Sequence, residues 1–392
     1  MQSRLNTPEQ VIIVTHTLFY GASEALSDYL ISQKIQSLIY IGHPLLAENS
    51  TYTQRVYRKG RNIHTKSVKR VSAGSVTAFF RDALATIIEC VKLTKASYLY
   101  IGVNPLNACV GVLLHVFGIV DKVVFYAIDF SPKRSNIWLI NYIYHSMECF
   151  AVRYSDICWN VSPRIEEGRK KFLGLKTTKD KQIVVPIGVW EKDIVKKIKV
   201  KNDYRLIFVG HLLEKQGVQE VIRAMPAILK KLPRVSLTII GGGEYEQPLR
   251  ELVESLSLEK HVQFMGWQSD QAAIQKEIIK SDIALATYMP SGRDTTNFSY
   301  YADPTKIKTY LSCGVPILMT DVSYNAKTLE KVGCAFVVSY NNQDIARAIV
   351  AILSDTKNLS RAKQAARKQA RTFTWQTIFE KILIVTSSIS PL

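Results

Sequence analysis

The sequence is short of acid. Its 392 residues hold 33 Asp and Glu against 51 Lys and Arg, a formal charge of +18. A field of that sign disfavours basic partners and favours acidic ones: nucleic acid, anionic lipid or phosphorylated small molecules. Long apolar runs are also missing. No stretch of about 18 residues is free of polar breaks, so no transmembrane helix is expected. The nearest approach, Ala108–Val120, is too short and carries His115. Cys90, Cys109, Cys149, Cys158, Cys313 and Cys334 are scattered, with no CxxC pair. That argues against a zinc site or a disulfide framework and suits a reducing cytosol. Met1–Gln10 is polar and lacks an apolar core, so no signal peptide is expected. The expected location is cytoplasmic, with the inner face of the membrane as a further position that the charge favours.

What is present is an ordinary globular balance, 47% apolar and 21% charged, in a chain too long for one core. Short β-branched runs alternate with helical patterns, the order of parallel sheets covered by helices. In the first half the strands are expected at Val11–His16, Ser37–Gly42, Tyr98–Val103, Lys122–Asp129, Asp156–Ser162 and Gln182–Ile187. Ser75–Val91 is a helix with Val76, Phe79, Phe80, Ala83, Leu84, Ile87, Ile88 and Val91 at the 3.6 period, and Ser75 fits its N-cap. Residues 191–204 are polar and weakly periodic. A second alternating unit follows, with strands at Arg205–Gly210, Ser236–Ile240, Val262–Gly266, Asp282–Thr287, Pro316–Asp321 and Ala335–Ser339. The expected division is therefore 1–190, a linker 191–204, 205–355, and a helical tail 356–392. The fold class is α/β, with two Rossmann-like doubly wound domains. Ligands of such sheets sit at the carboxyl ends of the strands.

Three segments of the second half carry chemistry. Leu206-Ile-Phe-Val-Gly210-His-Leu-Leu-Glu-Lys215-Gln-Gly217-Val runs from a strand into a helix. Its turn exposes backbone N–H groups and the positive end of a helix dipole, and Lys215 and His211 add charge; a diphosphate or a merely solvated lysine fits. Gly241-Gly242-Gly243 follows a strand and permits close backbone approach, which a plain tight turn explains equally well. Pro304-Thr-Lys306-Ile-Lys-Thr309 opens a helix, with Asp303 as N-cap and Pro304 at the first helical position. A cation on a first turn normally costs stability, so an anion opposite Lys306 would offset it.

In order and spacing these segments resemble the strand-loop-helix, glycine turn and Pro-x-Lys helix of the retaining GT4 glycosyltransferases. The resemblance covers about Arg205 to Leu353. It implies a GT-B fold, two domains facing a central cleft with the C-terminal helices packing back. It also implies transfer of a hexose from a UDP- or GDP-sugar, with retention and without metal; the sequence has no Asp-x-Asp clamp. The substrate is the nucleotide-sugar itself, with no separate cofactor, and the acceptor is a glycan or lipid-linked chain. Donor contacts are carried onto Gly21, Gly210, His211, Lys215, Asp303, Pro304, Lys306 and Thr309, with Lys215 and Lys306 neutralising the leaving group. Tyr301 and Thr309 stand where the family has two glutamates, and His211 replaces its usual arginine.

The first half offers fewer signals. His16 to Glu24 leads from a strand into a helix, with Gly21 for close approach and Ser23 as N-cap. His16 is either catalytic or a core histidine. Asp129 ends a strand and either accepts a hydrogen bond from the acceptor or caps a turn; Ile128 stands where the family has a histidine. Ile137–Tyr154 is apolar around much of its circumference, which suits a buried helix or a wall for a lipid-linked acceptor. The acid-free segments Thr51–Arg70 and Thr356–Arg371 suit solvated surfaces or an anionic membrane. Catalytic candidates are Lys215, Asp129 and His16. The runner-up readings are a non-catalytic nucleotide-sugar-binding subunit and a basic nucleic-acid-binding protein. No motif spacing supports the last, so no nucleic acid is expected.

Overall fold

A computed structural model describes residues 8–17, 20–44, 51–69, 76–93, 98–176, 181–198, 202–290 and 298–388. The expected N-cap Ser75 lies outside them; the helix after it is described from Val76. The chain divides into two compact units: Met1–Pro186 with Trp375–Leu392, and Ile187–Thr374.

The first unit runs β1 (Gln10–Thr17), α1 (Ala22–Ser32), β2 (Ser37–Pro44), β3 (Thr51–Arg58), β4 (Arg61–Lys69), α2 (Val76–Leu93), β5 (Leu99–Val103), α3 (Pro105–Val116), β6 (Lys122–Ala127), α4 (Trp138–Tyr154), β7 (Ile157–Asn160), α5 (Pro163–Leu173) and β8 (Gln182–Val184). Its eight strands lie in the order β4-β3-β2-β1-β5-β6-β7-β8. Those from β2 to β8 through β1 are parallel, as their β-branched runs require. The basic segment 51–69 corrects a purely parallel reading: it is an antiparallel hairpin added to β2. Tyr52, Gln54 and Val56 face inward on β3, whereas every residue of β4 is exposed.

The second unit runs β9 (Arg205–Val209), α6 (Val218–Leu229), β10 (Ser236–Ile240), α7 (Glu246–Ser255), β11 (Val262–Phe264), α8 (Gln271–Lys280), β12 (Ile283–Ala286), α9 (Phe298–Tyr301), α10 (Thr305–Ser312), β13 (Ile317–Met319), α11 (Ala326–Val332), β14 (Ala335–Val337), α12 (Asn342–Ser354) and α13 (Thr356–Ala370). The sheet is parallel throughout, in the order β11-β10-β9-β12-β13-β14. Successive residues of β9 feed opposite faces: Leu206 and Phe208 join one core with α6 and α12, and Ile207 joins the other with α10. That two-sided burial is why the strand reads as a continuous apolar run.

The expected linker belongs to the second unit. Its first residues form a 3-10 turn, Glu191–Asp193, and Ile194 is in the core. The tail is shared. α13 packs in the second unit, and Lys363 donates to buried Asp282 at 2.8 Å. The last helix, α14 (Trp375–Ser388), packs in the first: Phe379 meets Tyr29 at 5.6 Å, and Trp159 Nε1 donates to Thr386 Oγ1 at 3.2 Å.

Candidate active site

In the second unit the carboxyl ends of β9, β10 and β12 meet the start of α10. The loop after β9 is pressed against the loop after β10: Gly210 N–H donates to Ile240 O, and Leu212 N–H to Gly242 O, both at 2.9 Å. A Cβ on Gly241 would lie 1.9 Å from Gly210 O, so the glycine turn is required by packing, without invoking a ligand. At the head of α6, Gly217 has φ +76, and a Cβ there would stand 1.7 Å from Thr287 O. The two βα loops are thereby clamped to the end of β12.

Lys306 reaches into this corner from the first turn of α10. Its Nζ donates to Gln216 Oε1 at 2.7 Å and lies 4.1 Å from the centre of the Phe208 ring and 5.2 Å from that of Tyr288. It also borders Gly210: a Cβ there would lie 2.9 Å from Nζ. No carboxylate pairs with it among the described residues, and burial pulls its ammonium down to about 7. Gln216, Phe208 and Tyr288 had no sequence signal of their own; they are neighbours only through the fold. Lys215, in the 3-10 turn Glu214–Gln216, is half-buried, and burial lowers its ammonium while the charge of Glu244 opposes the shift. His211 is exposed.

Asp303 requires a correction. It does not cap α10, and its carboxylate is taken up by other partners. Pro304 is the N-cap residue, without a side-chain cap bond. Asp303 is buried, accepting from Lys308 Nζ at 2.8 Å and from Ile187 N–H at 2.9 Å. Burial pushes its carboxyl up against the opposing charge of Lys308. Lys306 and Lys308, two residues apart on one helix, thus point to different surroundings. Thr309 Oγ1 donates back to Thr305 O at 3.2 Å, and Tyr301 is buried.

The first unit gathers Gly21, His16 and Asp129 at the ends of β1 and β6. Gly21, not Ser23, is the N-cap of α1; its N–H donates to Glu24 Oε2 at 2.9 Å, and Tyr40 OH donates to Glu24 Oε1 at 2.5 Å. His16 lies in a buried cluster. Asn104 Nδ2 and Asn107 Nδ2 each stand 3.2 Å from its Nδ1. The backbone fixes both amides, because Asn104 Oδ1 accepts from Asn107 N–H and Asn107 Nδ2 donates to Val103 O. Nδ1 is therefore an acceptor, and the ring proton sits on Nε2, 3.6 Å from Asp82 Oδ2. The Nδ1 lone pair is thus taken by the two amides, which argues against His16 as the proton acceptor.

Asp82 also faces His43 at 3.6 Å and Arg81 at 3.0 Å. Burial works to raise its carboxyl, but hydrogen bonds from His16 and Arg81 and the charges of His43 and Arg81 outweigh it and hold it at about 2. Asn104 carries φ +77 and ψ +164 while capping α3, a strained conformation for a residue with a side chain. The Asn104-Pro105 pair was the available sequence signal for that cap. Above His16 a pocket of about 440 Å³ is lined chiefly by apolar side chains, among them Phe79, Leu106, Ile140 and Met147. Asp129 lines it too, paired with Arg134 at 2.5 Å, and the Arg134 guanidinium lies 4.1 Å from the centre of the Tyr144 ring.

Two successive α/β units, the second with a lysine at the carboxyl ends of its parallel strands that no described carboxylate neutralises, define a protein of the GT-B type. Residues 190–369 match the family described as Glycosyl transferases group 1. An uncharacterized glycosyltransferase of Methanocaldococcus jannaschii is 29% identical over 130 residues, 30% of this chain and 31% of the relative. The poly(glycerol-phosphate) alpha-glucosyltransferase of Bacillus subtilis is 22% identical over 172 residues, 43% of this chain and 24% of the relative. The matched stretches span less than a third of the length of either relative. Among solved structures, Anabaena HepE in complex with UDP and glucose shares the fold over 97% of this chain and 99% of its own, with a TM-score of 0.66 and 15% identity. No helix among the described residues is long and apolar enough to cross a membrane.

Proposed function

We propose that the chain is a retaining, metal-independent hexosyltransferase that moves a sugar from a UDP- or GDP-sugar to a glycan or lipid-linked acceptor. The observation that carries this reading is Lys306, an ammonium held in a half-buried apolar corner at the strand ends with no carboxylate partner among the described residues. An anion there regains the Coulomb energy that burial removes. The solved Anabaena neighbour with UDP and glucose supports a nucleotide-sugar as that anion. Lys306 and Lys215 neutralise the diphosphate, and α10, which opens without a side-chain cap, turns its first N–H groups and positive dipole end toward it. Gly210 lets the phosphate approach the backbone beside Lys306. The bond from the sugar's anomeric carbon to the phosphate oxygen breaks, and the acceptor oxygen bonds to that carbon on the same face. The acceptor proton passes to the departing phosphate, so His16 need not act as a base. The pocket above His16 holds the acceptor, and Asp129, oriented by Arg134, accepts its hydrogen bond.

The test is thermal stabilisation across UDP-, GDP-, ADP- and TDP-sugars. A ligand at about 100 times its Kd stabilises the native state by about 2.7 kcal/mol. One donor should shift the transition of the wild type but not of Lys306→Ala. A folded Lys306→Ala that keeps the full shift sinks the reading. Tyr301 and Thr309, neither of them a carboxylate, favour a second reading as a nucleotide-sugar-binding subunit without turnover. Donor binding without release of nucleotide in the presence of acceptors would select it.

A further inference from the structure

We infer that the first unit docks on an anionic lipid surface through the outer faces of α2 and α4. A helix as apolar as α4 is expected to be buried, but it is not. Its buried residues are Glu148, Ala151 and Val152, all in the C-terminal half. The N-terminal half exposes Trp138 at 74%, Leu139 at 47% and Tyr142 at 64%. On α2, Phe80 at 73%, with Leu84 and Ile88, forms a second exposed stripe at four-residue spacing. α3 packs against both helices, so the three make one layer. Exposed apolar surface of this extent on a soluble unit marks an interaction face.

Charge selects the occupant. The three helices of the layer carry only three carboxylates, Asp82, Glu89 and Glu148, and each is ion-paired: with Arg81, Lys66 and Arg169. No unpaired acid on these three helices therefore opposes an anionic surface. Basic groups flank the layer on both sides. Lys133 precedes α4, and the exposed strand β4, tied to α2 by the Lys66–Glu89 pair, adds Arg61 and Lys69; Arg134 and Lys66 are already engaged by Asp129 and Glu89. Trp138 and Tyr142 are amphipathic rings of the kind that sit at headgroup level. Aliphatic residues between aromatic and basic groups, on helices too short to span, are the chemistry of a face that lies on a bilayer.

The purpose of this docking rests on the transfer reading: an amphiphilic acceptor would leave the bilayer for the pocket between α2 and α4. The geometry of the docking does not depend on that reading. The test is flotation with vesicles of equal parts phosphatidylcholine and phosphatidylglycerol. The wild type should float, and the triple variant Trp138→Ser, Leu139→Ser, Tyr142→Ser should partition on the order of tenfold or more weakly. None of the three lines the pocket, and retention of the donor-induced thermal shift would show that the variant is folded. Absence of wild-type binding overturns the inference. So does equal binding of the variant, which would leave charge alone at work. So does a lipid-free dimer that the variant dissolves, which would make the face a contact between copies. If instead the transfer reading fails, neither protein responds to any nucleotide-sugar while vesicle binding persists.

Discussion

Binding of the proposed nucleotide-sugar should draw a proton into the protein, in an amount set by Lys306. Burial holds the free ammonium at about 7 against an ordinary 10.5. A diphosphate beside it favours the charged form and lifts its pKa well above neutrality. The diphosphate of a nucleotide-sugar is esterified at both ends and does not itself titrate there. Unliganded Lys306 is then about half protonated at pH 7 and about one-tenth protonated at pH 8, whereas the complex is fully protonated. The expected uptake is about 0.5 proton at pH 7 and about 0.9 at pH 8. Apparent affinity should fall by nearly tenfold for each pH unit above about 8. Titration calorimetry in two buffers of different ionisation enthalpy reads the uptake directly. Zero uptake at pH 8, or an affinity flat from neutral to alkaline pH, would refute the role of Lys306. The same shift has a consequence without ligand. Between about 7 and 10.5 the unfolded chain binds more protons than the folded one, so this residue makes the apo protein more stable as pH rises through that window.

Asp82 predicts the opposite limb. Its folded value of about 2 lies below the ordinary 3.8, so its stabilisation is present above about pH 4 and lost as pH falls through about 2. Asp82→Asn should flatten the acid dependence of the urea midpoint across that range; an unchanged slope would place acid sensitivity elsewhere. Gly217→Ala combines an unfavourable φ with a 1.7 Å clash against Thr287 O, and should cost more than about 2 kcal/mol in chemical denaturation. A cost below about 1 kcal/mol would show that the clamp between β9, α6 and β12 relaxes.

The parallel strands were legible because a strand buried on both faces must be apolar at consecutive positions, and Leu206-Ile207-Phe208 says so in three letters. The hairpin was not. Tyr52, Gln54 and Val56 keep the alternation of β3, but its basic neighbours suggest a solvated segment, and β4, exposed along its whole length, has no inward pattern to read. Lys306 and Lys215 were visible as cations at the starts of helical turns. Asp303 misled because its place before a helix suits a cap, whereas its actual partners are Lys308 and a backbone N–H 116 residues away. His16 was visible as a residue and not as a role: amides 88 and 91 residues distant settle which of its nitrogens carries the proton. For α4, apolar composition by itself suggests burial, and only the packing leaves Trp138, Leu139 and Tyr142 exposed.

The sequence by itself determined the alternation of strands and helices, the glycines at which backbones cross, the excess of positive charge and the resemblance of the second unit. Each is written in spacings of a few residues, the range over which backbone geometry acts. Only the tertiary structure decided which of two nearby lysines is paired and which has no carboxylate among the described residues, which carboxylates are neutralised, and which apolar helix keeps an outer face uncovered. Burial and electrostatic partnership depend on atoms brought together from distant parts of the chain, and no local pattern encodes them.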